Sequence, residues 1–177
     1  HGIPSHSRQI RPGDIVSIDT GAAINGFNGD NACTFPCGKV DIEAQRLMDV
    51  TKESLHRGIA AAVAGNRVGD IGHAVQSYVE ENGFSVVRSF VGHGVGKELH
   101  EDPEVPNYGH AGHGVRLVNG MTIAIEPMVN QKHHSVKTLS DGWTVVTADG
   151  GLAAHFEHSI AILPGGPEIL TIGWEEP

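Results

Sequence analysis

The sequence predicts an α+β domain in which helices cover one face of a largely antiparallel sheet. The main observation is the order of the predicted elements, β-β-α-α-β-β-β-β, in which two helical patterns lie between strands. The chain has 177 residues, enough for one domain with a sizeable core. Its 24 glycines and sparse aromatic residues favour turns and close strand connections over a long helical bundle.

A β-hairpin is predicted over residues 13–35, "GDIVSIDTGAAINGFNGDNACTF". Asn25-Gly26 is a strong signal for a two-residue turn. With this turn Asp19 lies opposite Ala32, and Asp30 lies diagonally from Asp19 on the same face. The two aspartates could then reach one small cation, unless a bulge in the second strand changes the register.

Two helices are predicted after the hairpin, over residues 41–65 and 68–83. The first has an apolar stripe at helical spacing, made by Ile42, Leu47, Val50, Leu55, Ile59 and Val63. Gly83 is the predicted stop of the second helix. Further strands are predicted over residues 84–91, 120–129, 142–147 and 153–163, where apolar residues alternate with others.

Composition excludes several classes of function. The formal net charge of −9 argues against affinity for nucleic acid or for an anionic membrane surface. No apolar run approaches the roughly 20 residues of a membrane span. Cys33 and Cys37 are too few for a zinc finger or a disulfide framework, and we interpret them as thiols in or near a strand.

Carboxylates recur inside apolar strands, where acidic residues are normally depleted. Asp19, Glu126 and Glu157 each share a face with small or polar residues, and in the case of Glu157 these are His155 and Ser159. A single such carboxylate would more often face solvent. Several on one face need either protonation or a counter-charge. Four carboxylates with one histidine suit two divalent ions such as Mn, Fe, Co or Zn.

Six segments together resemble the type I methionine aminopeptidases, which have the pita-bread metallopeptidase fold. The segments are "HGIP", "GDIVSIDTGAAINGFNGDNACTF", "GHGVGKELHEDP", "GMTIAIEPMV", "DGWTVVTADG" and "FEHS", and they extend over nearly the whole chain. The resemblance implies a dinuclear metal site with the ligands Asp19, Asp30, His93, Glu126 and Glu157. Asp19 would bind one ion, Asp30 and Glu157 both ions, and His93 and Glu126 the second ion.

The resemblance also implies roles around the metals. Two cations would activate a water for attack on the scissile carbonyl, and Glu126 would relay its proton. His100 would contact the substrate carbonyl or the developing oxyanion, and His1 the scissile nitrogen and downstream backbone. Trp143 would contribute to the methionine pocket. Each of these three residues also has a purely structural alternative. His100 would be a turn residue, His1 a terminal residue and Trp143 a packing residue.

Two departures from the family pattern affect these expectations. The family usually has an aromatic residue before the second histidine of the glycine-rich segment, where this chain has Leu99, so the methionine pocket could differ. The family also has further chain before "HGIP". We therefore expect residues 1–177 to form one metallopeptidase catalytic domain that lacks its N-terminal segment and first helix pair.

The leading functional hypothesis is removal of the initiator methionine when the second residue is small. The resemblance then implies N-terminal peptides of nascent proteins as partners, a monomer, a cytoplasmic location, and compatibility with ribosome association and with an additional monovalent cation. Three alternatives stay open here. They are a prolidase or Xaa-Pro aminopeptidase of the same fold, a non-catalytic peptide-binding module, and a phosphate-binding enzyme suggested by "GHGVGK" alone.

Overall fold

A computed structural model describes residues 1–173 of the chain. Within this range there are two helices, α1 (Ile42–Ala61) and α2 (Val68–Glu81), which follow the hairpin of β1 (Ile15–Ile24) and β2 (Phe27–Pro36). The remaining strands are β3 (Ser85–Val86), β4 (Gly92–Gly94), β5 (Glu101–Val105), β6 (Thr122–Ile125), β7 (Met128–Asn130), β8 (Val136–Thr138), β9 (Val145–Thr147), β10 (Ala153–His155), β11 (Glu157–Leu163) and β12 (Gly166–Ile169).

The largest sheet has seven strands in the order β1-β2-β11-β6-β4-β5, with β12 paired to β11. A second sheet has the order β10-β7-β3, and β8 and β9 form a separate pair. All strand pairs are antiparallel. The buried core lies between the helices and the sheets and includes Leu47, Ile71, Ile123 and Ile160. The predicted α+β class is therefore confirmed.

The hairpin has the predicted register. Asn25 and Gly26 have φ values of 51° and 81°, as a two-residue turn between twisted antiparallel strands requires. Asp19 pairs with Ala32, and pairing continues residue by residue to the turn, so no bulge interrupts the second strand. Asp19 and Asp30 therefore project from the same face of the sheet.

Both helices form, and the first is shorter than predicted. Asp41 caps α1 by accepting a hydrogen bond from the backbone N–H of Ala44 at 2.9 Å. The prediction was wrong for two residues of the apolar stripe of this helix. Ile42 is 82% exposed, and Val63 lies beyond the end of α1 at Ala61. The second helix ends as predicted near Gly83, whose φ of 79° is a left-handed conformation.

All four of the later strand predictions were wrong in their bounds. Only Ser85–Val86 is a strand within residues 84–91, and the strand predicted from residue 142 begins at Val145. Residues 120–129 contain β6 and β7, which belong to different sheets, and the chain crosses between them at Glu126-Pro127. Pro127 has no N–H to donate to a ladder, which accounts for the break. Residues 153–163 likewise divide into β10 and β11 at Phe156.

Neither helix in the described part of the chain has the length and apolar character that crossing a bilayer requires.

Candidate metal centre

Sheet order brings the five predicted metal ligands together. The strands β1, β2, β11, β6 and β4 are consecutive neighbours in the seven-stranded sheet. Each carries one candidate in or directly after the strand; these are Asp19, Asp30, Glu157, Glu126 and His93, respectively. All except Asp19 are at least nine-tenths buried, which is unusual for charged side chains that lack a partner.

The five side chains form two overlapping groups. Candidate ligand atoms of Asp19, Asp30 and Glu157 lie within 4.8 Å of one another, and the same holds for His93, Glu126 and Glu157. Glu157 belongs to both groups, and Asp30 Oδ2 lies 3.7 Å from His93 Nε2 of the second group. Two ions that share carboxylates need this arrangement. The residues fit the implied metal pair, while their assignment as ligands stays a prediction.

The orientation of His93 also fits a metal ligand. Its Nδ1 lies 2.8 Å from the carbonyl oxygen of Gly94, which can only accept, so Nδ1 carries the proton. Nε2, the other ring nitrogen, then faces the carboxylates, with Glu126 Oε1 at 3.5 Å. A histidine that binds a metal commonly donates its other N–H to a backbone carbonyl in this way.

The backbone around Asp30 is held by the neighbouring strand. The hydroxyl of Ser159 accepts a hydrogen bond from the N–H of Asp30 at 2.9 Å and donates to its carbonyl oxygen at 2.8 Å. Ser159 lies on β11, two residues after Glu157 and on the same face. One strand therefore supplies a candidate ligand and also fixes the backbone of a second candidate.

Burial without a counter-charge raises carboxyl pKa values at this centre. Glu157 is 2% exposed, and its burial, followed by repulsion from Glu126, Asp30 and Asp19, raises its pKa to about 10. The pKa of Asp30 is also raised, first by burial and then by Asp19. Cations bound among these groups would supply the positive charge that the ionised carboxylates require.

Metal binding should therefore release protons and become tighter as pH rises. In the metal-free protein Glu157 keeps its proton at neutral pH, because its pKa is about 10. A divalent ion must displace that proton, so the apparent affinity should increase about tenfold per pH unit for each proton released. Calorimetric titration of the metal-free chain with Mn²⁺ between about pH 6 and pH 8 measures this. An affinity that does not change with pH would contradict a protonated Glu157.

His1 lies at the Asp19 end of the centre. Its Nε2 is 3.1 Å from Asp19 Oδ2, and this hydrogen bond raises the pKa of His1 and lowers the pKa of Asp19. The His1 ring also packs near Phe90, with centroids 5.7 Å apart. The structure thus places His1 beside the candidate ligands, and its predicted contact with substrate stays a prediction.

His100 and Leu99 lie beside the candidate ligands His93 and Asp30. The His100 ring centroid is 4.1 Å from that of His93, and His100 is exposed. One of its ring nitrogens also lies near enough to Asp30 and His93 to make a further possible metal group. Leu99 packs over Gly21, where an added Cβ would lie 3.2 Å from Leu99 Cδ1 and 3.9 Å from Asp30 Oδ1. Both residues therefore border the centre.

Trp143 lies in the loop between β8 and β9 and is 62% exposed. Its backbone N–H donates to Asp141 Oδ1 at 3.0 Å, which fixes the turn. The same loop is joined to the N-terminal segment, because the N–H of Val145 donates to the carbonyl of His1 at 3.0 Å. Trp143 is thus near the His1 side of the centre, and its role in a methionine pocket is untested.

His155 is a residue of the centre that sequence reasoning did not include among the candidates. It is 7% exposed, and its Nε2 lies 3.6 Å from Glu126 Oε2 with no hydrogen-bond partner among the described residues. Its ring is 5.5 Å from that of His1. The sequence did contain one signal for His155, because alternation along the strand places it on the same face as Glu157. The unpaired buried nitrogen aimed at a carboxylate is a further sign that the centre holds a polar ligand or ion.

Comparisons with known proteins show the family of this chain. Residues 1–164 match the group described as Metallopeptidase family M24. A methionine aminopeptidase from Clostridium acetobutylicum is 58% identical over 172 residues, which are 97% of this chain and 69% of that protein. The crystal structure of a methionine aminopeptidase from Thermotoga maritima has a TM-score of 0.96 at 50% identity and covers 98% of this chain and 70% of that one.

The fold is shared more widely than the sequence. A prolidase from Pyrococcus furiosus has a TM-score of 0.75 at 25% identity, over 98% of this chain and 45% of that one. The pita-bread fold and the metal-dependent hydrolase that the sequence indicated are thus confirmed. The fold and the carboxylate-rich centre define a metallopeptidase, and the chain belongs to metallopeptidase family M24. Within this family it belongs to the methionine aminopeptidases, and the prolidase alternative is not favoured.

Proposed function

We propose that this chain removes an N-terminal methionine from peptides whose second residue is small, with a pair of divalent metal ions. The observation that carries the proposal is the pair of overlapping ligand groups that share Glu157. Three carboxylates and one histidine of the set are buried, and their grouping within 4.8 Å supports a site for two ions. The family membership supports the reaction, and the geometry supports the choice of residues.

Each candidate ligand has a place in the proposed centre. Asp19 would hold the first ion, Asp30 and Glu157 would serve both ions, and His93 and Glu126 would hold the second. Bound divalent ions supply Lewis-acid polarisation of the scissile carbonyl and lower the pKa of a water between them. Hard oxygen ligands with one imidazole accept Co, Mn, Fe or Zn, so the donor set does not select one metal.

Residues of the chain would handle the protons and the developing charge. The Glu126 carboxylate, which lies 3.5 Å from His93 Nε2 and 3.6 Å from His155 Nε2, is placed to accept a proton from the attacking water. His100 is exposed beside His93 and would donate a hydrogen bond to the substrate carbonyl oxygen as negative charge develops there. His1 would contact the scissile nitrogen from the Asp19 side.

The methionine side chain would lie between Leu99 and Trp143. Leu99 packs over Gly21 close to Asp30, so a substrate bound at the metals would contact its methyl groups. Trp143 presents an exposed aromatic ring, and a thioether packs favourably on such a ring edge. Leucine in place of an aromatic residue keeps this wall apolar and gives it a different shape.

The remaining features of the proposal concern the setting of the reaction. We propose that residues 1–177 act as one catalytic domain, and that the substrates are N-terminal peptides of nascent proteins in the cytoplasm. A monomer, an encounter with substrates near the ribosome and an additional monovalent cation are compatible with this setting. The net charge of −9 argues against direct binding of nucleic acid.

Hydrolysis of short peptides tests the proposed reaction. The purified chain supplied with Mn²⁺, Co²⁺ or Fe²⁺ should release methionine from Met-Ala-Ser and should leave an Xaa-Pro peptide intact. N-acetylated Met-Ala-Ser is the matched control, because an aminopeptidase requires a free amino group. Cleavage of the Xaa-Pro peptide alone would support the prolidase alternative. Absence of metal-dependent cleavage of every peptide would support a non-catalytic module.

A further inference from the structure

The backbone of Glu126 lies in a gap between two sheets. Strand β6 ends at Ile125 in the seven-stranded sheet, and β7 begins at Met128 in the three-stranded sheet. Glu126 is therefore outside both ladders, and strand pairing does not fix its carbonyl group. This is unexpected for a residue whose carboxylate lies 3.5 Å from one histidine and 3.6 Å from another in the candidate centre.

The side chain of Asn107 fills this gap. Its Nδ2 donates a hydrogen bond to the carbonyl oxygen of Glu126 at 3.0 Å, and Asn107 is fully buried, with 0% exposure. The amide must point its nitrogen at Glu126, because two oxygens cannot share a hydrogen bond. Asn107 Oδ1 is then left buried with no hydrogen-bond partner among the described residues. A buried amide oxygen without a hydrogen bond is unfavourable. Asn107 nevertheless occupies this position, with its Nδ2 bonded to the Glu126 carbonyl.

The segment that carries Asn107 is itself fixed by α2. A Cβ added at Gly72 of α2 would clash with the carbonyl oxygens of Tyr108 and Pro106, the latter at 2.7 Å, so helix and segment pack backbone to backbone. The N–H of Gly109 also donates to Gln76 Oε1 at 3.1 Å. A continuous set of contacts therefore runs from α2 through the segment around Asn107 to Glu126.

We propose that Asn107 is a positioning residue that fixes the Glu126 carboxylate in the metal centre. The inference rests on the proposed function, because it takes Glu126 as a metal ligand. Metal sites require their ligands to be held within about 0.5 Å of the productive geometry. The hydrogen bond at the Glu126 carbonyl restrains the residue where neither sheet does so. Loss of partners that orient a ligand typically reduces metal affinity or activity about 10–100-fold.

Asn130 provides a matched control outside the centre. It is 1% exposed, its Nδ2 donates to the carbonyl of His133 at 2.8 Å, and its Oδ1 also has no hydrogen-bond partner among the described residues. It lies on β7 and orders the turn that follows this strand. Replacement of either asparagine removes the same chemical group from the same kind of environment. Only one of them contacts a candidate metal ligand.

The test compares Asn107→Leu and Asn107→Ser with Asn130→Leu and Asn130→Ser in the full chain. Leucine keeps the volume, and serine is too short to reach the Glu126 carbonyl, so the serine variant carries the test if the leucine variant does not fold. We measure Mn²⁺ affinity of the metal-free proteins by calorimetry, kcat and KM for Met-Ala-Ser, and Tm. Both Asn107 variants should lose about 10–100-fold in Mn²⁺ affinity and kcat with little change in KM.

The control variants separate a positioning role from a structural one. Asn130 variants should lose a similar amount of Tm while Mn²⁺ affinity and kcat stay within about twofold of the wild type. Unchanged Mn²⁺ affinity in the Asn107 variants, or equal losses in the Asn130 variants, would overturn the proposal. The metal titration needs no peptidase activity, so it still decides the role of Asn107 if the wild type binds Mn²⁺ without cleaving Met-Ala-Ser. A wild type that binds no Mn²⁺, Co²⁺, Fe²⁺ or Zn²⁺ would instead overturn the proposed function, and this inference with it.

Discussion

Replacement of Asp30 by asparagine should abolish peptidase activity and metal binding together. Asp30 is 6% exposed and belongs to the group of Asp19 and Glu157, while its Oδ2 also lies 3.7 Å from His93 of the second group. Asparagine keeps the shape but removes the negative charge that two cations would share. We expect kcat to fall by about 10³-fold or more, since a shared ligand should matter more than an orienting partner, whose loss has a 10–100-fold effect.

Metal content and kcat of the Asp30→Asn variant should be measured on the same preparation. Asp41→Asn is a suitable control, because Asp41 caps α1 through a side-chain oxygen that asparagine also has. That variant should keep wild-type activity and metal content. Full activity of Asp30→Asn would refute the shared-ligand role, and metal loss without a change in kcat would show that the bound metal takes no part in the reaction.

Replacement of His100 by alanine should lower kcat about 10²–10³-fold while both metal ions remain bound. Removal of one hydrogen-bond donor to a developing oxyanion typically has an effect of this size. His100 is exposed beside the buried His93, which is the arrangement expected for a group that faces substrate. KM should change less than kcat, because the interaction is strongest in the transition state.

The same variant distinguishes two roles for His100. One of its ring nitrogens can form a metal group with Asp30 and His93, so a ligand role is geometrically open. Retention of the wild-type metal content with low kcat supports the oxyanion role, whereas loss of metal would assign His100 to the ligands. His113→Ala is a fitting control. His113 is exposed and bonds through Nδ1 to the carbonyl of Ala111 in a loop outside the centre.

Local chemistry allowed much of the fold to be predicted from the sequence. Asn25-Gly26 determined both the turn and the register of the hairpin, because both residues adopt positive φ without strain in this type of turn. The bounds of the later strands were harder to predict. Period-two alternation runs through residues 120–129 and 153–163 without indicating that each segment leaves one sheet and enters another. Sheet exchange depends on distant partners, which no local pattern contains.

The candidate centre was predictable to the extent that its residues stand out within their own strands. Carboxylates on apolar strands are rare, so Asp19, Glu126 and Glu157 were visible as a set. Asn107 was not visible, since its importance arises from one contact with Glu126, 19 positions further along the chain. Trp143 was suggested only by its segment. The structure leaves the residue 62% exposed, and its place in a methionine pocket stays a prediction.

The number of metal ions bound per chain tests the central claim most directly. The metal-free protein should be titrated with Mn²⁺ in a calorimeter, and the initial rate of Met-Ala-Ser hydrolysis should be followed at each addition. The two overlapping groups that share Glu157 predict two equivalents at saturation, with a rate that reaches its maximum as the sites fill. Saturation without binding of a second ion, together with full activity, would contradict a dinuclear centre.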